Sequence, residues 1–225
     1  MSDGTAEAAR WVEVSPERLA SWLGSFAQRH GGTTGDAGRA VVTFRAGDGA
    51  VARCHVPFPP LPECAAAAAS ADRICAHARA DRTVGVLLVR LGGYAAGVFT
   101  GPAASLAASK VGSRLVHGRS AAGGTSQQRF ARRREKQASE ALAAAAGAAA
   151  GVFGRYAGRL DAVVLGGDRR AIARLRDDPR LRPYFDVAVE RFLTVPDPRL
   201  AVLRGAPRLF RAVRIRLTDP PAPTG

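Results

Sequence analysis

The chain has 225 residues, 47% of them hydrophobic and 23% charged, with 33 Lys and Arg against 19 Asp and Glu, for a formal net charge of +14. This length buries a substantial core in one large domain or two small ones, and the composition is that of a soluble globular protein. The excess of positive charge points to a polyanionic partner, provided the charge is concentrated rather than spread.

In chain order, residues 1–8 read as a disordered start. Trp11-Val12-Glu13-Val14 reads as a short strand. Ser15-Pro16-Glu17 then opens a helix, with Ser15 as N-cap and Pro16 at the first helical position. Leu19, Trp22, Leu23 and Phe26 follow helical spacing up to Gly31-Gly32. Trp11, Trp22 and Phe26 are all expected in the core. Ala40 to Phe44 and Ala50 to Val56 flank Ala46-Gly47-Asp48-Gly49, which has the chemistry of a hairpin turn. Pro57 to Pro60 is a proline-rich exit from that sheet. An Ala-rich helix follows within residues 62–80.

Thr83 to Leu91 is a continuous apolar run, as expected of a central strand. Gly92-Gly93 turns it into Tyr94 to Thr100. Lys110 to His117 alternates apolar and polar, as a half-buried strand does. Ser126 to about Leu160 is a long Ala-dense helix, and Gly147, Gly151, Gly154 and Gly158 within it read as a stripe for close helix packing. Asp161 to Leu165 is a strand, Arg169 to Arg176 a helix, Val187 to Val195 a strand, Pro198 to Leu203 a short helix and Phe210 to Leu217 a final strand. Hairpins followed by alternating strands and helices imply an α/β fold, a mixed β-sheet with helices packed on it. The expected organisation is one domain over 9–218, with 219–225 as a loose tail.

Cys54, Cys64 and Cys75 form no Cys-x-x-Cys or Cys/His cluster, and adjacent Cys54 and His55 point to opposite faces of a strand, so no metal site is expected. They read as reduced, buried or half-buried thiols of a cytoplasmic protein. Met1 to Arg10 lacks the pattern of a signal peptide. The run Ala141 to Phe153 is too short to span a membrane, and no membrane partner is expected.

The charge is concentrated. Between Lys110 and Lys136 eight basic residues (Lys110, Arg114, Arg119, Arg129, Arg132, Arg133, Arg134, Lys136) face a single acid, Glu135, so half of the chain's excess lies in this stretch. It surrounds Gly123-Gly124-Thr125-Ser126-Gln127-Gln128. Compositional drift toward arginine would not place it there. Thr125-x-x-Gln128 is a capping box, which gives Gln128 a structural task and leaves Gln127 free to project; with Ser126 as the cap, both glutamines fall in the first turn. Arg129, Arg132, Arg133 and Lys136 have i, i+3, i+4, i+7 spacing and share one face. Like charges there, near the positive end of the helix dipole, are unfavourable unless an anion relieves them. A neutral amide beside dense positive charge suits chemistry on a nucleic acid. A solvated basic face is the plainer alternative. Gly166-Gly167-Asp168 lacks the full glycine pattern of a phosphate loop and reads as a tight strand-to-helix turn.

The segment Gly-Gly-Thr-Ser-Gln-Gln-Arg-Phe-Ala-Arg-Arg-Arg, preceded by the basic strand Val111 to Arg119, resembles the bacterial VLRF-type release factors, and among them the actinobacterial group. That family is related to the catalytic domain of eukaryotic ribosome quality-control peptidyl-tRNA hydrolases and, more distantly, to eukaryotic and archaeal class 1 release factors. The resemblance implies an RNase H-like α/β core and a loop that enters the peptidyl transferase centre. It also implies a catalytic glutamine at Gln127, with Gln128 as the alternate register, on a loop formed by Gly123, Gly124, Thr125 and Ser126. RNA contacts are expected from Arg114, Arg119, Arg129, Arg132, Arg133, Arg134 and Lys136. The implied partners are the large ribosomal subunit, peptidyl-tRNA and rRNA; the chain is expected to act as a monomer, without a cofactor and without reading a stop codon. Two other readings stand beside a codon-independent peptidyl-tRNA hydrolase. One is a nuclease cutting near the tRNA acceptor end, with Ser126, Thr125 or His117 as its reactive group. The other is a non-catalytic ribosome- or RNA-binding module.

Overall fold

The structure, a computed structural model, describes residues 9–63, 69–90, 93–113 and 126–220, and the side chains among them except those of 126–131 and 134. The chain divides into two compact units. The first takes in Met1–Ala80 and Arg211–Gly225, and the second Asp81–Phe210.

The first unit is built on an antiparallel sheet in the order β1-β10-β4-β3-β2. Its strands are β1 (Ala9–Val14), β2 (Thr33–Ala37), β3 (Val41–Ala46), β4 (Val51–His55) and β10 (Val213–Thr218). Alternation along each strand decides its two faces. Val42, Phe44, Ala52, Cys54, Val213, Ile215 and Leu217 point inward and are buried. They pack on α1 (Pro16–Arg29), through Leu19, Leu23 and Phe26, and on α2 (Ser70–Arg79), through Ile74, Cys75 and Ala78. Ser15 takes the N-cap position of α1 with Pro16 inside the first turn, and the cap carries no side-chain hydrogen bond. Gly31 and Gly32 end α1 at φ +75° and +90°. The β3–β4 turn is as the sequence predicts: Asp48 accepts from the Ala50 N–H at 3.0 Å and meets His30 Nδ1 at 2.7 Å.

Trp11 departs from its expected core position. On β1 it alternates with Val12 and Val14, so it lies on the outer face and is 49% exposed. Strand β2 is a further difference. Its sequence, Thr-Thr-Gly-Asp-Ala, has no apolar alternation, because it is an edge strand held by pairing to β3.

The second unit has a mixed sheet in the order β7-β6-β5-β8-β9. β5 (Val84–Arg90), β6 (Gly93–Thr100) and β7 (Ser105–Ser113) run antiparallel to one another. β8 (Ala162–Gly167) and β9 (Ala188–Leu193) extend the sheet in parallel from β5. Every residue of β5 but Arg90 is buried, as its apolar run requires. One face is covered by α3 (Ser126–Gly154). Its Ala145, Ala146, Ala149, Val152 and Phe153 pack with Leu87, Val89, Ala96, Val98, Val163 and Leu165. The short helices α4 (Arg169–Leu175) and α5 (Arg182–Asp186) add to this cluster. The other face takes α6 (Leu200–Phe210), whose Phe210 ring meets Phe99 edge-on at 5.6 Å.

The small side chains that let α3 approach the sheet are alanines. Gly147, Gly151 and Gly154 are exposed instead, and a Cβ at Gly151 would meet nothing within 4 Å, so the expected packing stripe of glycines is on the wrong face. α3 ends at Gly154, short of the expected Leu160, and Gly158 lies beyond it in a turn at φ +72°. α6 runs past Leu203 to Phe210 with Pro207 inside it. Burial of Leu203, Ala206 and Phe210 outweighs the lost hydrogen bond.

Candidate nucleic-acid interface

The segment singled out by the sequence joins β7 to α3. Strand β7 is the edge of its sheet and its Lys110 is exposed. The described residues of β7 end at Ser113, and the chain re-enters described structure at Ser126, the first residue of α3. Arg114, Arg119, Gly123, Gly124 and Thr125 lie outside the described residues, and so do His117 and the proposed Thr125 cap. Gln127, Gln128 and Arg129 are in the first turn of α3 as backbone, and no carboxylate occupies that turn. The backbone N–H groups of a helix's first turn have no acceptor within the helix, and they form the positive end of its dipole. Of the expected RNA-binding residues on α3 whose side chains are described, Arg132, Arg133 and Lys136 are all exposed.

The exit of β7 is tightly built. Tyr94 on β6 lies directly across from Gly112, and a Cβ on Gly112 would be 2.4 Å from the tyrosine ring. Gly93, opposite Ser113, has room for no Cβ either, since one would stand 2.7 Å from the Gly112 carbonyl oxygen. Glycine on one strand thus lets an aromatic ring lie flat across the next. Beside this pair opens a cavity of about 400 Å³, lined by Tyr94, Ser113, Ala141, Leu142, Arg170 and Arg174 among others. The last described residues of β7, Gly112 and Ser113, thus share this cavity with α3 and α4.

Several other arginines of this unit have partners within it. Arg90 donates to the Val195 carbonyl oxygen at 2.9 Å and pairs with Asp197 at 3.4 Å. Arg169, Arg176 and Arg159 lie over the rings of Phe192, Phe185 and Tyr156 at 4.2, 4.8 and 4.9 Å. These four arginines are thus used within the fold.

Gly166-Gly167-Asp168 is the tight turn expected. Gly167 has φ +98°, and a Cβ there would fall 2.1 Å from the Val89 carbonyl oxygen. Asp168 caps α4 by accepting from the N–H groups of Arg170 at 2.7 Å and Ala171 at 3.2 Å, so its own carboxylate fills the place a phosphate would take. Among the described residues no group of His, Cys, Asp and Glu is arranged to hold a metal ion, and no helix is long and apolar enough to cross a membrane. Cys54 and Cys75 are free and buried, and burial pushes the Cys54 thiol up to about 12. Cys64 lies outside the described residues.

Residues 82–216 match the model of a protein family described as the Actinobacteria/chloroflexi VLRF1 release factor. No curated protein is significantly similar in sequence. Among solved structures, the archaeal translation termination factor aRF1 is similar at 13% identity and a TM-score of 0.45, over 91% of this chain and 64% of that one. The Vms1 mitochondrial localization core is similar at 11% identity and 0.40, over 81% and 77% of the two chains. An archaeal protein is similar at 14% identity and 0.35, over 90% and 64%. The chain thus spans less than two thirds of the archaeal factor's length.

Proposed function

The chain belongs to the Actinobacteria/chloroflexi VLRF1 release factor family, and from that membership we propose that it is a codon-independent peptidyl-tRNA hydrolase that frees nascent peptide from stalled ribosomal complexes. The observation that carries this reading is that the family match, residues 82–216, spans the whole Gly123 to Gln128 segment, which contains no acid, histidine or cysteine. A release factor acts on the ribosome. The finer assignments are the proposal: large subunit, peptidyl transferase centre, rRNA and peptidyl-tRNA as partners, a monomer as the working form, and the cytoplasm as its place.

The chemistry suits a neutral amide. Water attacks the ester carbonyl that joins peptide to tRNA, the carbonyl oxygen takes up negative charge, and the ribose oxygen leaves with a proton. The ester is already activated, so the catalyst has to position water and stabilise the oxyanion rather than supply a strong base. In this reading the Gln127 side chain orients the water. Its backbone N–H, among those that a helix leaves without an internal acceptor, is available to the oxyanion. Gly123 and Gly124 let the segment pass close to RNA backbone. Arg132, Arg133 and Lys136, with Arg114, Arg119, Arg129 and Arg134, hold phosphates.

The test is to incubate the purified chain with stalled ribosomes carrying peptidyl-tRNA and to analyse both products. Free peptide with intact tRNA is expected. Peptide still bearing terminal nucleotides would replace hydrolysis by acceptor-end cleavage, and binding without release would leave a non-catalytic module. Gln127→Ala is expected to slow release by about a hundredfold or more while ribosome binding persists. Loss in Gln128→Ala instead would move the catalytic position by one residue.

A further inference from the structure

Among the described residues, the sheet of the first unit is covered by helices, α1 and α2, on one face only. Its outer face carries exposed side chains, and cross-strand pairing fixes which of them share it. Trp11 on β1 stands opposite Arg216 on β10, which stands opposite Arg53 on β4. One step along, Glu13 pairs with Arg214, and Arg214 with His55. Arg45 on β3 continues the positive surface, and Asp36 on the edge strand β2 ends it. Four arginines thus face two carboxylates, and Arg45, Arg53, Arg214 and Arg216 are all exposed.

This arrangement works against folding in two respects. Like charges directly opposite on neighbouring strands are destabilising, and Arg53 and Arg216 are such a pair. An indole 49% exposed on a sheet leaves a large apolar surface in water. The ring is not buried by its neighbours but framed by them: the Arg214 guanidinium lies 4.6 Å from its centroid, and the His55 ring 5.1 Å away at 50°. Arg214 is also 3.8 Å from Glu13, so Arg53 and Arg216 carry the less compensated charge. The field of the face is felt by His55, which burial, and then Arg214 and Arg216, hold below its ordinary value.

A flat aromatic surface beside guanidinium groups, on a rigid open sheet, matches the alternation of a single-stranded nucleic acid, which offers a base face and then a phosphate at each step. We propose that the open face bearing Trp11, Arg53, Arg214 and Arg216 binds single-stranded RNA, with a base stacked on the Trp11 ring and the arginines on the flanking phosphates. The choice of RNA follows from the ribosomal reading above. The proposed surface shares no residue with the Gln127 segment, and naked RNA as the probe keeps its test independent of peptide release.

The full chain is titrated with a uridine octanucleotide while tryptophan fluorescence and its salt dependence are read. Trp22, stacked on Phe26 at 5.6 Å, contributes a background that the Trp11→Phe variant measures by itself. Quenching that saturates is expected, and Trp11→Ala should remove most of it and weaken binding about tenfold. Trp11→Phe should lose the signal yet keep most of the affinity. Arg53→Ala and Arg216→Ala, both at exposed positions, should each lower the salt slope by about 0.7. Quenching reports on this face whatever else the oligonucleotide touches. Unchanged affinity and quenching in Trp11→Ala would overturn the proposal, as would unchanged salt slopes in both arginine variants. Equal quenching by a poly-glutamate peptide would also overturn it, in favour of an acidic protein partner.

Discussion

The two five-stranded sheets of this chain solve opposite problems. The sheet of the second unit has helices on both faces, and its central strand β5 is buried along its length up to Arg90. The sheet of the first unit has helices on one face among the described residues, and in its strands β3, β4 and β10 inward buried residues alternate with outward ones. A doubly covered sheet has no side chains to spare for a partner and serves as a frame for the loops at its ends. A singly covered sheet presents a second surface whose chemistry the fold does not dictate. The family match covers the framed sheet, and of the open one it takes in only the start of β10.

That contrast breaks first under truncation of the core. Leu87→Ala on β5, where the side chain is 1% exposed, should cost about 2–5 kcal/mol in urea unfolding, whereas Arg53→Ala on the open face should stay within about 0.5 kcal/mol. A large loss at Arg53 would mean that the open face is structural after all. Next comes the turn at the end of β8. Gly167→Ala forces a side chain into positive φ and against the Val89 carbonyl, and should cost about 1–3 kcal/mol, also by urea unfolding. Gly151→Ala on the exposed side of α3 should stabilise by about 0.5–1 kcal/mol in a thermal melt; a loss would restore the glycines to a packing role. The smallest effects are titrations of two neighbours on β4 that face opposite sides. Folding raises the Cys54 thiol from 9.0 to about 12, chiefly by burial. The unfolded chain then ionises first, so the Cys54 contribution to stability is intact below pH 9 and is lost as pH rises from there toward 12. Native Cys54 should resist alkylation at pH 8, measured by mass spectrometry. His55 should titrate below 6.5 by NMR, and replacing Arg214 and Arg216 by alanine should raise it part of the way, since burial is the larger cause.

Much of the framed sheet was legible in the chain because its signals are local. Val84 to Val89 is a continuous apolar run, Gly166-Gly167-Asp168 is a turn whose glycines have nowhere to put a side chain, and Asp168 caps the next helix as its position predicts. What failed depends on partners distant in sequence. Trp11 reads as core by its size, and only the pairing of β1 with β10 shows which face it occupies. Strand β2 exists because β3 offers an edge, and Thr33 to Ala37 carry no pattern of their own. The start of β7 at Ser105, five residues before the expected Lys110, follows from pairing to β6 through an irregularity at Val98/Phe99. Around the candidate site, the exposure of Arg132, Arg133 and Lys136 agrees with their helical spacing, while the cavity beside Tyr94 and Gly112 has no sequence signal, since it is made by five elements meeting, β5, β6, β7, α3 and α4.

The pairing of β10 between β1 and β4 bears on how the chain is made. Vectorial synthesis delivers β1 through β4 first, then the entire second unit, and β10 last of the ten described strands. Until it arrives, β1 has no neighbour and β4 keeps one unpaired edge, both open to wrong partners. The inserted unit has no such wait, because every strand of its sheet lies between Asp81 and Phe210. A chain cut short just before Val213 would therefore be a half-made molecule of a particular kind, its frame complete and its open face never assembled.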